Sequence, residues 1–346
     1  MKKYLNYLFW GIIIIILLII IIKNIMIIIK PQQHDESEKE VININKNTVS
    51  YNSWLHTDGC QLKNSKNELV QLRGVSSHSI EEYYDCLTYD NLEYMKNNWH
   101  INVFRIAMYT DLYGKGYINN KEYNTEKVCG IIDNAIKLDM YVIVDWHILN
   151  DNNPQIHENE ARLFFDNISS KYSDVPNVIY EICNEPNGQD VTWDKNIKKY
   201  AEDIISIIRN NSKNSLIIVG TANWCKSLMA PADDPLNYDN IVYACHFYSG
   251  SHKKELRDIL DYCIGKNIPV FISECGVTDA SGNGELYTEE FDKWIEYINS
   301  NKLSWIYWSF SNKTESSAIL KPNTLVPEDD NLTDAGNYIK NIFIKY

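Results

Sequence analysis

Eight short apolar runs, rich in Val, Ile, Phe and Tyr, recur along this chain, and each ends on polar or aromatic residues. They lie near Val70–Ser77, Ile101–Tyr109, Met140–His147, Asn177–Glu185, Leu216–Thr221, Ile241–Tyr248, Pro269–Glu274 and Ser304–Ser309. Little polar alternation interrupts them, as expected of strands buried on both faces of a parallel sheet. Amphipathic stretches separate them, among them Thr125–Leu138, Glu160–Tyr172, Asp194–Ile208, Lys254–Gly265 and Glu289–Asn299. Eight strand–helix alternations in one chain predict an α/β fold, the (β/α)8 or TIM barrel. The rival is a doubly wound open sheet. No Gly-x-Gly-x-x-Gly follows the first run, which weakens that rival.

Two further segments precede the barrel. Residues 1–30 carry an apolar stretch, Leu8–Ile29, in which only Lys23 and Asn24 are strongly polar. A helix of that length covers the hydrocarbon core of a bilayer, about 30 Å thick. Lys2 and Lys3 precede it, and Asp35, Glu36, Glu38 and Glu40 follow, so the N-terminus is expected to stay cytoplasmic. A cleaved signal peptide is the alternative, but Lys23–Gln33 contains no Ala, Gly or Ser for a cleavage site. In either case the remainder is exported. Residues 31–50 are polar and aperiodic, as in a tether. Residues 51–346 show no second linker and are expected to form one domain.

The formal net charge of −13 argues against a nucleic-acid or anionic-lipid partner and leaves a neutral polymer open. Eight Cys in an exported chain raise the question of disulfides. Cys183, Cys245 and Cys275 fall inside strand-like runs and are expected to be buried thiols, whereas Cys60 with Cys86 is a candidate bridge.

In a barrel of this kind chemistry collects at the C-terminal ends of the strands. Every run delivers a candidate there: His78; Arg105 and Tyr109; Asp145 and His147; Asn184 and Glu185; Thr221 and Trp224; His246 and Tyr248; Glu274; Trp308. Glu185 and Glu274 are the pair that glycoside hydrolysis requires, one acid for the leaving oxygen and one carboxylate to attack or activate water. Asn184 is a short donor suited to a sugar 2-hydroxyl. Arg105 and Tyr248 are placed to donate to Glu274 and hold it ionised. His147 and His246 are candidates to orient the acids or bind hydroxyls. Trp308 and Trp224 offer faces to sugar rings, although packing alone would also explain aromatic residues there. The His residues lack metal-ligand spacing, and no cofactor is implied.

These residues sit in LRGVSSH (72–78), NVFRIAMYT (102–110), VIVDWHIL (142–149), VIYEICNEPNG (178–188), HFYSG (246–250), VFISECG (270–276) and WSFSNKTESSAIL (308–320). In that order they resemble the family 5 glycoside hydrolases of the bacterial endo-β-1,4-glucanase type. The resemblance implies a general acid/base at Glu185 and a nucleophile at Glu274. It implies site positions at Arg105, His147, Asn184, His246, Tyr248 and Trp308, and glucan-binding positions at His78, Tyr109, Trp224, Lys313 and Glu315. It further implies retention of configuration, with carboxyl groups roughly 5–5.5 Å apart. Two departures bear on substrate preference: Glu82 stands where relatives carry a Trp, with Tyr83 or Tyr84 nearby, and Cys275 replaces a Trp after Glu274. The expected substrate is a β-1,4-glucan. Mannan, xylan or mixed-linkage glucan is the alternative, and a non-catalytic cell-surface sugar-binding protein the more distant one.

Overall fold

A computed structural model describes residues 1–28 and 45–346, and the chain divides into two units, Met1–Ile44 and Asn45–Tyr346. In the first, Lys2–Ile28 forms one helix, of which Lys2–Lys23 is long and apolar enough to cross a membrane. Position 29 of the expected span, and positions 31–44 of the expected tether, lie outside the described residues.

The second unit begins before Tyr51. Val49 is buried in a short helix, Val49–Asn52, and the Ser50 N–H donates to the Asp139 carboxylate at 2.7 Å. The sequence places these residues with the tether, because one buried Val among polar neighbours leaves no periodic signal. A hairpin, His56–Asp58 with Gln61–Lys63, follows. Eight parallel strands then close into a barrel: β1 (Arg73–Ser77), β2 (Val103–Tyr109), β3 (Tyr141–His147), β4 (Val178–Glu181), β5 (Ile217–Val219), β6 (Ile241–Tyr248), β7 (Val270–Gly276) and β8 (Ser304–Phe310). β8 pairs with both β7 and β1, so no open edge remains and the open-sheet rival is excluded.

The two-residue period of a strand sorts its side chains. On β2, Phe104, Ile106 and Met108 face outward into the core shared with the helices, while Val103 joins an inner cluster with Ile143, Ile179, Val242 and Ile306. Val49, Leu55, Leu62 and Val70 belong to the same inner cluster, so the N-terminal helix-and-hairpin segment packs with the barrel interior. Burying each such side chain stabilises by about 1.5–3 kcal/mol. That apolar layer supports a polar layer above it, because the same parity carries Arg105, Asp145, Glu181 and His246 inward at the opposite end.

The expected Cys60–Cys86 bridge is not formed; both are free thiols, Cys86 buried and Cys60 half-buried. Cys183, Cys245 and Cys275 are buried, and burial raises their thiol pKa values, so they are inert packing groups.

Candidate active site

Glu185 lies beyond the strand the sequence assigned to it. β4 stops at Glu181, and the next four residues are loop. The chain leaves the ladder because the Asn184 N–H turns to the Trp146 carbonyl and Pro186 has no N–H to offer. Gly220 permits the crossing, since a Cβ there would meet the Cys183 carbonyl oxygen at 2.2 Å. Glu274 reaches the cleft by a different device. Phe271 faces the inner cluster and Ile272 the outer core, so strict alternation would turn position 274 outward. The pairing of β6 with β7 shifts register between Ala244 and His246, from Phe271 to Glu274, and this bulge re-aims the carboxylate.

The two acids meet. Oxygens of Glu185 and Glu274, together with a nitrogen of His246, lie within 4.8 Å of one another. Such a trio has the span of a cation site, but its donors already serve hydrogen bonds. His246 Nδ1 lies 2.9 Å from Glu185 Oε1, and Nε2 lies 3.0 Å from Ser273 Oγ. Glu274 is held from two sides, by the Tyr248 hydroxyl at 2.7 Å and by Arg105 Nη1 at 3.3 Å. Gly276 leaves room for that tyrosine, because a Cβ there would stand 2.4 Å from its ring.

Arg105, fully buried, organises the floor. It donates to Glu181 at 2.6 Å and to Asn184 Oδ1 at 2.7 Å, and its Nη2 lies 3.0 Å from Asp145. Asp145 accepts from His147 Nδ1 at 2.6 Å, which leaves His147 Nε2 to accept from the Asn184 amide at 3.3 Å. The second amide bond of Asn184 goes to the Ile148 carbonyl, so its orientation is fixed.

Burial works against each charge, and neighbours decide the outcome. For His246, burial would lower the pKa, but hydrogen bonds with Glu181 and Glu185 and the Glu274 charge raise it to about 10. Burial would raise Glu181, yet Arg105 and His246 bring it down to about 2. Asp145 is pushed well up by burial, which outweighs Arg105. Burial also raises Glu274, and the Glu185 charge adds to it, against the pull of His246, Arg105 and Tyr248. His147 is driven well below its usual range by burial and nearby cations, so its ring is neutral.

The remaining sequence candidates converge on the same cleft of about 410 Å³, whose walls include His78, Tyr109, Trp224, Trp308, Lys313 and Glu315. His78, Tyr109, His147 and Trp308 form a continuous ring surface, with His147 stacked on Trp308 at 5.3 Å. Lys313 Nζ lies 3.1 Å from His78 Nε2 and pairs with Glu315. Trp224 stands at the other side, 43% exposed, on a loop whose Trp224 N–H donates to the Pro186 carbonyl. Thr221 is the exception, buried beneath that loop with its hydroxyl directed at the Ala244 carbonyl.

Cellulase, glycosyl hydrolase family 5, matches residues 62–314 of this chain. The chain belongs to that family. Among its relatives, an endoglucanase of Clostridium saccharobutylicum is 43% identical over 85% of this chain, and endoglucanase A of Evansella cellulosilytica is 46% identical over 73%. The chain spans 65% and 51% of the lengths of those two proteins. The solved cellulase Cel5C_n superposes with a TM-score of 0.82 at 40% identity, covering 85% of this chain and 93% of that one. The catalytic domain of Thermobifida fusca endoglucanase Cel5A, solved with cellotetraose, gives 0.82 at 32% identity, covering 86% and 99%.

Within this family 5 barrel, sequence reasoning missed Glu181, which reads as strand interior but is a carboxylate between Arg105 and His246. Its signal was an acid inside an apolar run, four residues before Glu185. Ser273, Lys226 and His252 were also missed. The latter two line the cleft from loops whose course no periodic pattern reveals. Of the two tyrosines near Glu82, Tyr83 sits edge-on to His78 at 5.2 Å, while the hydroxyl of Tyr84 packs beside Gly130, away from the cleft. Glu82 itself pairs with Lys115.

Proposed function

We propose that this protein is a retaining endo-β-1,4-glucanase in which Glu185 is the general acid/base and Glu274 the nucleophile. The observation that carries the reading is the approach of their carboxyl oxygens to within 4.8 Å across one cleft. That is the scale of a retaining pair and too short for the intervening water of an inverting one.

Charge balance supports the roles. Two buried cations, Arg105 and His246, face four carboxyl groups: Asp145, Glu181, Glu185 and Glu274. Burial pushes the Asp145 carboxyl up, and ionised Glu181 offsets Arg105. His246, held as a cation, lies against the Glu185–Glu274 pair. Glu274 accepts from Tyr248 and Arg105, whereas Glu185 accepts only from His246, so the hydrogen-bond donors of the site favour Glu274 as the charged nucleophile.

As general acid, Glu185 delivers a proton to the glycosidic oxygen as Glu274 attacks the anomeric carbon and forms a glycosyl ester. The leaving sugar departs. Glu185, now ionised, takes a proton from water, which attacks the same carbon and frees Glu274. The aromatic surface of His78, Tyr109 and Trp308 holds the sugars on the non-reducing side, with Lys313 and Glu315 beside it. Trp224 faces the leaving side. Residues 2–23 are retained as a membrane anchor with the barrel outside the cell, a reading supported by their length and composition.

The test is hydrolysis of carboxymethyl-cellulose and cello-oligosaccharides by the purified protein, with mannan and xylan in parallel. Glu274→Gln should lose several orders of magnitude in rate. Parent-like activity in that variant would reject the assignment, and preference for mannan or xylan would move the substrate. Intact mass of the membrane-extracted protein checks the anchor: loss of the N-terminal segment would mean a cleaved signal.

A further inference from the structure

Glu185 projects from a segment that has left the β4 ladder, so something other than a strand must hold it. The residues on either side of it are held by a single turn. That turn follows β5 and runs through Asn223, Trp224 and Cys225, with φ values of 58°, 54° and 57°. Left-handed backbone is sterically costly for residues that carry a Cβ, and three in succession persist only where their surroundings fix them. The bonds that fix this turn end on both flanks of the proposed acid/base. The Trp224 N–H donates to the Pro186 carbonyl at 3.1 Å, and the Cys225 thiol donates to the Asn184 carbonyl at 2.9 Å.

The direction of the thiol follows from its second partner. Cys225 Sγ accepts the Thr221 N–H at 3.3 Å, which leaves its own proton to point at Asn184. Burial and the nearby Glu185 charge raise the thiol well above its usual range, so it stays protonated and remains a donor. The other polar groups of Asn184 are already engaged. Its N–H meets the Trp146 carbonyl, and its side chain is held by Arg105, His147 and the Ile148 carbonyl. Among the described residues, only Cys225 serves its carbonyl. That carbonyl shares one rigid plane with the Glu185 N–H. A buried carbonyl left without a donor is costly, and turning it toward another donor rotates the plane. Such a rotation swings the Glu185 side chain away from its place beside His246.

We propose that Cys225 is a positioning residue for the reaction: its thiol passes a hydrogen bond from Thr221 to the Asn184 carbonyl and so fixes the peptide from which Glu185 reaches the scissile bond. The proposal rests on the hydrolase reading above. The same turn carries Trp224, so one element sets both the platform on the leaving side and the group that protonates the leaving oxygen.

The experiment measures kcat/KM of the full-length protein for phenyl cellobioside and for dinitrophenyl cellobioside. Both place one aromatic ring beside the cleaved bond, but only the phenyl substrate needs a proton from Glu185 to depart. In Cys225→Ala the phenyl substrate should lose about tenfold, a part of what a positioned general acid contributes, while the dinitrophenyl substrate is cleaved as by the parent. Cys225→Ser restores a donor of similar size and should recover most of that loss. Cys225→Gly, suited to the left-handed backbone, carries the same comparison if the alanine variant does not fold. Equal losses on both substrates, or no loss on either, would overturn the positioning role and leave the hydrolase reading standing. A serine variant as selectively impaired as the alanine variant would overturn it too. A parent inactive on both substrates would remove the hydrolase reading and the positioning role with it.

Discussion

Tyr248→Phe isolates a single hydrogen bond to the proposed nucleophile. The Tyr248 hydroxyl donates to Glu274 Oε1 at 2.7 Å, and the pocket beside Gly276 accepts the same ring without it. Burial and the Glu274 charge raise the phenol far above its usual range, so Tyr248 remains a donor at every working pH. A hydrogen bond to a charged group contributes about 1.5–3 kcal/mol. Removing it disfavours the carboxylate, and at about 1.36 kcal/mol per unit the pKa of Glu274 rises by roughly one to two units. The nucleophile must be ionised to attack, so the acid limb of kcat/KM moves to higher pH by that amount. Below the limb, activity falls about ten- to a hundredfold, while on the plateau above it the loss is smaller. The assay is kcat/KM for nitrophenyl cellobioside, read between pH 4 and 9. A uniform loss at every pH, with the acid limb unmoved, would refute the reasoning, because Tyr248 would then act on something other than the Glu274 charge.

Three further expectations rest on equally local observations. The raised pKa of His246, about 10 against 6.5 unfolded, contributes stability that is fully present below 6.5 and is lost as pH rises toward 10. His246→Gln should therefore flatten the decline in urea-unfolding free energy over that window; a parent-like slope would contradict the assignment. Glu81 is half-buried, but its two carboxyl oxygens are shielded and lack a hydrogen-bond partner among the described residues, and desolvation raises it to about 8. Between about pH 4.5 and 8 the carboxyl ionises in the unfolded chain but stays protonated in the folded one, which costs stability progressively, so Glu81→Gln should stabilise on the order of a few kcal/mol at pH 8 and little at pH 4.5, measured by the same unfolding series. Gly276→Ala drives a Cβ into the Tyr248 ring. It should cost about 1–3 kcal/mol in stability and reproduce the acid-limb shift of Tyr248→Phe, whereas a parent-like pH profile would show that the ring does not need that space.

The barrel was legible because each strand is a dense apolar run, and runs of that kind survive without any knowledge of pairing. The polar residues at their ends were legible for a related reason: Arg105 or His246 inside such a run is costly unless something beneath it compensates. What lay beyond reach was whatever depends on neighbouring strands. The bulge opposite Ala244 and His246 turns Glu274 inward, but one strand read alone gives position 274 the wrong face. Glu185 was assigned to a strand because Ile182 and Cys183 are as apolar as the strand before them, and only the turn of Asn184 toward Trp146 shows the break. Glu181 was overlooked because its importance lies in contacts with β2 and β6, which its own segment does not encode. Cys60 and Cys86, expected as a bridge near the surface, are free thiols, the first half-buried and the second buried, because burial of a single cysteine is decided by packing that its own segment does not encode.

The most direct measurement is the identity of the residue that becomes esterified. Treatment with a 2-fluoro cellobioside bearing a good leaving group slows release of the second-stage ester, and peptide mass spectrometry then locates the sugar. The account predicts one added glycosyl unit on the peptide containing Glu274. It also predicts an adduct that Glu274→Gln abolishes and that still forms in Glu185→Gln when the leaving group needs no protonation. A sugar found on any other residue, or turnover with inverted configuration and no adduct, would contradict it.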